Sequence, residues 1–146
     1  MASARRSYTP ISTPLMVKRS YAGLGLFAGA AIPKGACIIE YVGREVSDKE
    51  KYTSKSRYLF EISKTKTIDG KPAINKAGYI NHACKANAEP VIHDKRIFIF
   101  ATRAIRPGEE ITYDYGKEYV DTYCSPCKCT SCMEQASKGS VAKSKK

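Results

Sequence analysis

The chain has 146 residues, of which 42% are hydrophobic and 27% are charged, values typical of a single folded domain rather than a disordered chain. Its net charge of +11 favours nucleic acid or acidic chromatin as surroundings, and no apolar run approaches the roughly 20 residues of a membrane span. The N-terminus also lacks the apolar stretch of a secretory signal. We therefore predict an intracellular protein, without a membrane partner, whose six cysteines are reduced or bind metal.

Both ends of the chain are predicted to be mobile basic tails that do not pack. Residues 1–14 contain Arg5 and Arg6 without an acidic residue, and residues 137–146 read SKGSVAKSKK. The basic residues are scattered rather than gathered in a stripe with interleaved aromatic residues. This distribution predicts at most a non-specific contact with DNA.

Short runs of β-branched and aromatic residues with alternating apolar positions predict strands at residues 15–18, 37–43, 56–62, 96–104 and 110–115. Turn signals such as Pro33-Lys34-Gly35 and Arg106-Pro107-Gly108 separate these runs. Helix is predicted only at residues 47–56, where Ser47 is a candidate N-cap, and at residues 73–80. The pattern favours a mainly β fold of small sheets with long connections and short helices.

The pair Gly23-Leu24-Gly25 stands before an apolar run that begins at Leu26. Two close glycines let a backbone pass near a ligand and offer its N–H groups. A plain β-turn explains the pair equally simply, and the full dinucleotide-binding pattern is absent. Both interpretations stay open on this motif alone.

The stretch YINHACKANAEP, residues 79–90, gathers amide, imidazole and thiol side chains. His82 and Cys84 would face the same side only in a regular strand, and the surrounding Asn and Ala residues favour a loop. A zinc site would need two more ligands nearby. A turn held by Asn side chains is therefore as good an explanation as any functional one.

Two tyrosines follow one another by two positions in GEEITYDYG. Strand alternation puts Tyr113 and Tyr115 on one face, where two phenols could steady a cation by ring contact and hydrogen bonding. Tyrosines buried in a sheet are the commoner explanation. The pattern by itself leaves the choice open.

The segment CSPCKCTSC places four thiols within nine residues. Zinc favours four thiolates, and exposed reduced thiols without a metal are prone to oxidation. A run of exposed reduced cysteines is the alternative. The spacing predicts a zinc site formed by Cys124, Cys127, Cys129 and Cys132.

Taken together and in this order, these motifs resemble the SET-domain protein-lysine methyltransferases. The resemblance runs from YAGLGLFA through IIEYVG, RYLFEI, Asp69-Gly70 and YINHACKAN to GEEITYDYG and the cysteine-rich tail, over residues 15–132. It implies small β-sheets around a pseudoknot, in which the Asn-His segment and the segment of the last tyrosine pass through one another. It also implies a SET catalytic domain at residues 15–119 and a post-SET-like cysteine segment at residues 120–136, between the basic tails 1–14 and 137–146.

The resemblance further implies a cofactor, S-adenosylmethionine, and a protein substrate with a target lysine. Its cofactor-binding residues would be Gly23, Leu24, Gly25, Leu26, Asn81, His82 and Tyr115. Tyr115 would stand beside the transferring methyl group and Tyr58 would line the lysine channel. A tyrosine at the position of Tyr113 implies mainly monomethylation, with some dimethylation.

This chain departs from the family pattern at several positions. Ala83, Ala86 and Ala88 replace Ser, Pro and Cys, and the missing cysteine at Ala88 would normally supply a zinc ligand. The extra Cys124 is the natural replacement, which would make the zinc site local to the tail. Gly78 replaces an arginine, so the contact that this arginine makes is in doubt.

The substrate implied most often in this family is a histone tail, which places the protein in the nucleus or on chromatin or a nucleoid, and otherwise in the cytoplasm. A protein at +11 repels a basic tail unless acidic groups concentrate near the groove. The candidates are Glu40, Glu45, Glu109, Glu110 and Asp114. The rival hypothesis is a catalytically weak SET-like module that binds lysine-bearing peptides or nucleic acid.

Overall fold

A computed structural model describes residues 7–21, 23–56, 58–71 and 75–116. Ten strands dominate the regular structure of this part of the chain: β1 (Leu15–Ser20), β2 (Gly23–Ala28), β3 (Cys37–Tyr41), β4 (Arg44–Val46), β5 (Leu59–Ser63), β6 (Lys66–Asp69), β7 (Asn81–His82), β8 (Ala88–His93), β9 (Arg96–Ala101) and β10 (Glu110–Tyr113). The described helices are short, with α1 at Asp48–Thr53 and a 3-10 helix at Lys76–Tyr79. The predicted mainly β fold is confirmed.

The strands form three small sheets, in the orders β1-β2-β10-β7, β3-β9-β8 and β4-β6-β5. Most neighbours are antiparallel, but β7 and β10 pair in parallel, with Thr112 opposite Asn81 and Tyr113 opposite His82. Two segments about thirty residues apart in the chain, roughly the length that a parallel connection needs, therefore meet side by side. The contact that the resemblance implies between the Asn-His segment and the last tyrosines is present.

Aliphatic side chains from the sheets share one core. Leu26, Ile97, Ile99 and Ile111 are fully buried there, on β2, β9 and β10. Strand alternation sends these residues inwards. The core thus packs β2, which carries the glycine motif, against β10, which carries Glu110 and Tyr113.

All five predicted strands exist, but their ends differ from the sequence prediction. The run at 96–104 ends at Ala101, because the chain bends at Thr102, although the Thr102 N–H still donates to the Asn87 carbonyl in register with the β8–β9 pair. The Gly23-Leu24-Gly25 pair lies within strand β2 rather than in a turn, because β1 and β10 pair with β2 on its two sides. Strands β2, β4, β6, β7 and β8 were not predicted: β2 begins with the glycine pair, β4, β6 and β7 are short, and β8 contains Pro90, a residue that argues against a strand.

The two helix predictions were correct in place but not in extent. Helix α1 begins after Ser47, whose side chain accepts the Glu50 N–H as an N-cap does. The predicted helix at 73–80 is a 3-10 helix over Lys76–Tyr79, preceded by the buried Asn75. Both helices are too short to form without tertiary contacts.

Residues 7–14 correct the prediction of a mobile N-terminal tail. The Tyr8 ring stacks on His93 with centroids 3.7 Å apart and meets Phe98 edge-on at 5.3 Å. The Ile11 N–H donates to the Cys37 carbonyl at 2.9 Å. Tyr8 and Ile11 thus attach this segment to the β3-β9-β8 sheet, although most of the neighbouring residues are polar. Residues 1–6 and 137–146 lie outside the described residues.

Candidate functional site

A group of polar atoms meets where β1, β2, β7 and β10 come together. We call Ser20, Leu24, Gly25, Asn81 and Glu110 the polar cradle. The Glu110 carboxylate accepts the Ser20 hydroxyl at 2.7 Å and the Asn81 amide at 2.8 Å. The same Asn81 nitrogen donates to the Leu24 carbonyl at 3.0 Å. Both N–H bonds of this amide are thereby used, and its oxygen is turned the other way as an acceptor.

Gly25 allows the Glu110 and Asn81 side chains to come close to the β2 backbone. A Cβ at this position would collide with Glu110 Oε2 and lie 3.0 Å from Asn81 Nδ2. Gly23, by contrast, has a φ of +102° and open space where a Cβ would be. The two glycines therefore serve different purposes: Gly25 admits the polar side chains, and Gly23 supplies a backbone conformation that L-residues rarely adopt.

A pocket of about 220 Å³ opens beside the β7–β10 pair. We call it the tyrosine pocket. It is lined by Tyr41, Tyr58, Leu59, Phe60, Glu61, Gly78, Ile80, Tyr113 and Tyr115. The Tyr113 and Tyr115 ring centroids are 5.0 Å apart and the rings are tilted by 59°, at a separation that aromatic pairs prefer. The prediction that these two tyrosines share a face is confirmed.

Tyr115 is held by the Ile80–His82 segment through its hydroxyl and its main chain. Its hydroxyl donates to the Ile80 carbonyl, and its backbone N–H donates to His82 Nδ1 at 3.0 Å. Since Nδ1 accepts this N–H, the ring proton is on Nε2, which lies 3.4 Å from Cys84 Sγ. Asp114 Oδ1 stands 3.5 Å from Nδ1, but two acceptors face each other there and no ion pair forms.

Tyr58 is fixed through its backbone. Its N–H donates to Ser56 Oγ at 3.2 Å, and its carbonyl accepts the Tyr41 hydroxyl and the Gly70 N–H, each at 2.9 Å. A Cβ on Gly70 would collide with the Tyr41 ring. Gly70, in the Asp69-Gly70 pair, therefore leaves space for the Tyr41 ring, which is part of the wall of the tyrosine pocket.

Asn87 holds strand β10 in place. It is 2% exposed, and its side chain donates to the Glu110 carbonyl at 2.7 Å and accepts the Thr112 N–H at 2.9 Å. An amide side chain bonded in this way substitutes for a missing strand neighbour, because it satisfies one backbone donor and one acceptor. Asn87 thus supports the strand that contributes Glu110 to the cradle and Tyr113 to the pocket.

Residues 23–116, more than half of the chain, match the SET domain family. The chain belongs to the SET-domain family. It is 40% identical over 120 residues to the histone-lysine N-methyltransferase trr of Drosophila melanogaster, covering 73% of this chain and 5% of that protein. It is 37% identical over 133 residues to the histone-lysine N-methyltransferase ASHH3 of Arabidopsis thaliana, covering 78% of this chain and 36% of the relative.

A solved structure of ctPRC2 in an autoinhibited conformation bound to S-adenosylmethionine resembles this SET domain with a TM-score of 0.64 at 32% identity. The match covers 73% of this chain and 15% of that one. The SET fold that the sequence motifs imply is therefore confirmed. The chain spans well under half the length of each of these relatives.

The structure brings the predicted SET-domain residues together in two groups. Gly25 and Asn81 belong to the polar cradle with Leu24, while Tyr58, Tyr113 and Tyr115 line the tyrosine pocket. The fully buried Leu26 points into the core, and Gly23 begins β2. The His82 side chain faces the Tyr115 backbone rather than the cradle.

Several residues of the site were missed by sequence reasoning. Glu61 lines the tyrosine pocket, Tyr41 supports Tyr58, and Asn87 holds β10. The signal for Glu61 was its place in RYLFEI, three positions after Tyr58. The acids named from the sequence do not line this pocket: Glu40 pairs with Arg96 and Glu109 with Arg103 on the surface.

The predicted zinc ligands Cys124, Cys127, Cys129 and Cys132 lie outside the described residues. Within residues 7–116, apart from the undescribed positions, no group of three or more His, Cys, Asp or Glu side chains is placed to hold a metal ion. The same described part contains no helix long and apolar enough to cross a membrane.

Proposed function

We propose that this SET-domain chain is an S-adenosylmethionine-dependent protein-lysine N-methyltransferase. The observation that carries the proposal is the contact between the polar cradle and the tyrosine pocket, which share the Ile80–His82 segment. One region is built from polar atoms suited to a charged cofactor, and the other from aromatic rings suited to a lysine side chain. Relatives named histone-lysine N-methyltransferase support the assignment.

The cradle suits a cofactor that carries an ammonium group. The Asn81 oxygen is turned away from its two hydrogen-bond acceptors and can take an N–H, and the Glu110 carboxylate adds a nearby negative charge. The exposed backbone of Gly23 and Leu24, with Leu26 anchoring β2 behind it, would line the same ligand. S-adenosylmethionine, when bound, supplies an electrophilic methyl group on its sulfonium.

The tyrosine pocket suits the other reactant, the target lysine, in its neutral form. A free lysine ammonium has a pKa of about 10.4, and an aromatic, poorly hydrated channel favours the neutral amine. Tyr58 and Tyr113 would line this channel, and the Tyr115 hydroxyl, whose proton is directed to the Ile80 carbonyl, would present its oxygen to an amine N–H. Correct alignment removes much of the entropic barrier, so no protein nucleophile is needed.

His82 has a positioning role in this proposal. Its buried ring accepts the Tyr115 N–H, and its carbonyl accepts the Tyr21 hydroxyl. It therefore holds Tyr115 towards the pocket, and it contributes to the cofactor site through its place beside Asn81 in β7.

We further propose that the product is mainly monomethyl-lysine, with some dimethyl-lysine, since Tyr113 is 7% exposed beside Tyr115 and limits the space around the amine. The proposed substrate is a histone tail or another basic DNA-associated protein. The names of the relatives support a nuclear or chromatin location. The net charge of +11 is compatible with a non-specific contact with DNA that brings the enzyme to such a substrate.

A zinc site in the tail, residues 120–136, belongs to the same proposal. The donor set of Cys124, Cys127, Cys129 and Cys132 is one that zinc prefers. Metal analysis of freshly reduced protein should find one equivalent of zinc, and the Cys124→Ser variant should lose most of it. Zinc-free wild type would refute the site, and an unchanged zinc content in the variant would remove Cys124 from it.

Incubation of the full chain with labelled S-adenosylmethionine and mixed core histones tests the main proposal. Transfer of label to lysine, located by mass spectrometry, is the expected result. Calorimetry on the same preparation measures cofactor binding independently. Binding without transfer would favour the catalytically weak binding module instead.

A further inference from the structure

Glu61 is the one charged side chain among the described residues that line the tyrosine pocket. It lies on β5, a strand at the edge of the β4-β6-β5 sheet, and 52% of its side chain is exposed. Leu59 and Phe60 precede it along the same wall. A carboxylate at this position stands at the solvent side of a pocket that is otherwise aromatic and aliphatic.

This carboxylate already holds a lysine of the same chain. Lys51 Nζ on helix α1 lies 2.9 Å from Glu61 Oε2, and only 20% of the Lys51 side chain is exposed. The hydrogen bond to Glu61 raises the pKa of Lys51, which keeps its ammonium charged. The geometry at Glu61 is therefore suited to a basic side chain. Because the Glu61 carboxylate is half exposed, a competing cation from the solvent side can reach it and replace Lys51.

The other acidic residues do not compete for this position. Glu40 is engaged by Arg96, Glu109 by Arg103, and Glu110 by Ser20 and Asn81. Glu45 is exposed on β4, and Asp114 lies 3.5 Å from His82 Nδ1; neither lines the pocket. Within the described lining of the pocket, a basic substrate therefore meets negative charge at Glu61.

We propose that Glu61 is a specificity-determining residue that binds a Lys or Arg next to the target lysine of the substrate. In the free domain Lys51 occupies this position, and the substrate cation displaces it. An Arg neighbour is favoured over Lys, because its guanidinium pairs with a carboxylate through two hydrogen bonds. The inference rests on the proposed methyltransferase function and narrows its substrate class.

Peptides with one target lysine and a single varied neighbour test this inference. On each side of the lysine in turn, the neighbour is Arg, Gln or Glu, and the full chain is assayed for kcat and KM. We expect kcat/KM about 2- to 5-fold higher for the best Arg peptide than for its Gln counterpart, the range of an exposed ion pair. The gain should lie in KM and not in kcat, because this contact is the same in the ground and transition states.

Variants of the ion pair sharpen the test. Glu61→Gln should remove the preference for Arg, and Glu45→Gln, an exposed carboxylate on another strand of the same sheet, should retain it. Lys51→Met should lower KM for Arg peptides and leave Gln peptides unchanged, because it removes the internal competitor. A preference that survives Glu61→Gln, or a wild type that does not distinguish Arg from Gln, would overturn the inference.

Fluorescence anisotropy with the same labelled peptides separates this inference from the proposed function. If no peptide is methylated, the methyltransferase proposal fails, but the Arg preference and its loss in Glu61→Gln are still measured as binding. If peptides are methylated without regard to their neighbours, the proposed function stands and the role of Glu61 is wrong.

Discussion

The polar cradle and the tyrosine pocket lie side by side but are built on different physical principles. The cradle consists of hydrogen bonds of 2.7–3.0 Å among Ser20, Leu24, Asn81 and Glu110, packed against a glycine. The pocket consists of rings, with Tyr113 and Tyr115 centroids 5.0 Å apart and Tyr41 and Phe60 centroids 5.4 Å apart. Hydrogen bonds demand exact placement, whereas ring contacts tolerate small shifts.

This difference predicts how each region responds to change. An added atom in the cradle displaces several polar partners at once, so its function should be lost outright. A lost hydroxyl in the pocket leaves the ring contacts in place, so binding should survive while the rate or the product changes. Substitutions that separate cofactor binding from turnover therefore test the comparison directly.

The largest effect is expected from Gly25→Ala. The new methyl group would collide with Glu110 Oε2 and crowd Asn81 Nδ2 at 3.0 Å. We expect a loss of about 1–3 kcal/mol of stability from overpacking and no measurable cofactor binding by calorimetry. Gly29→Ala is the matched control, since its Cβ would lie 2.9 Å from Pro14, away from the cradle. Gly29→Ala should destabilise the fold but leave cofactor affinity unchanged, and equal losses of affinity in both variants would contradict the role of Gly25.

Tyr115→Phe should reduce turnover about 100-fold, the usual cost of removing one well-placed hydrogen-bonding group from an active site. Cofactor affinity should barely change, because the Tyr115 N–H to His82 Nδ1 bond does not involve the hydroxyl. Single-turnover kinetics and calorimetry measure the two quantities separately. Tyr52→Phe, at a side chain 81% exposed on α1, is the control and should be neutral. Lost binding with turnover per bound complex intact would reassign Tyr115 to the cofactor site.

Asn87→Ala should weaken both regions together. It leaves the Glu110 carbonyl and the Thr112 N–H without their buried partner, which costs roughly 1–3 kcal/mol. Urea unfolding should show a lower midpoint with an unchanged m-value. Cofactor affinity and turnover per folded molecule should then fall by similar factors, because β10 serves the cradle and the pocket. A stable variant in which only cofactor affinity falls, or only turnover, would mean that the cradle and the pocket do not both depend on β10.

The smallest change in rate, with a change in product, is expected from Tyr113→Phe. The ring contact with Tyr115 is kept, and the lost hydroxyl makes room for a further methyl group. Mass spectrometry of a peptide substrate should show more dimethyl- and trimethyl-lysine than wild type yields. If the phenylalanine form adds no more methyl groups than wild type, Tyr113 does not limit the product.

Strands with strong apolar alternation were predictable, and so was the family, because its motifs occur in a fixed order. The extent of the elements was less predictable. The two-residue strand β7 pairs with β10, which lies much later in the chain, and no local pattern encodes this contact. In the same way, Tyr8 and Ile11 pack because partners distant in the chain, His93 and Cys37, stand opposite them.

The candidate site shows the same division. Glu61 and Asn87 lie in quoted motifs just as Asn81, Tyr113 and Tyr115 do, but their contacts depend on partners set by the tertiary structure. The role of Glu61 depends on Lys51, ten positions earlier on a helix. From the sequence, five other acids were expected to set the balance of charge near the substrate. The mainly β pattern could not indicate which carboxylate the fold would bring to the pocket.

The Ile80–His82 segment carries much of the site in main-chain atoms. The Ile80 carbonyl accepts the Tyr115 hydroxyl, and the His82 carbonyl accepts the Tyr21 hydroxyl. Main-chain carbonyls are present whatever the side chain, so a substitution at Ile80 or His82 keeps both acceptors, whereas loss of the Tyr21 or Tyr115 hydroxyl removes a donor.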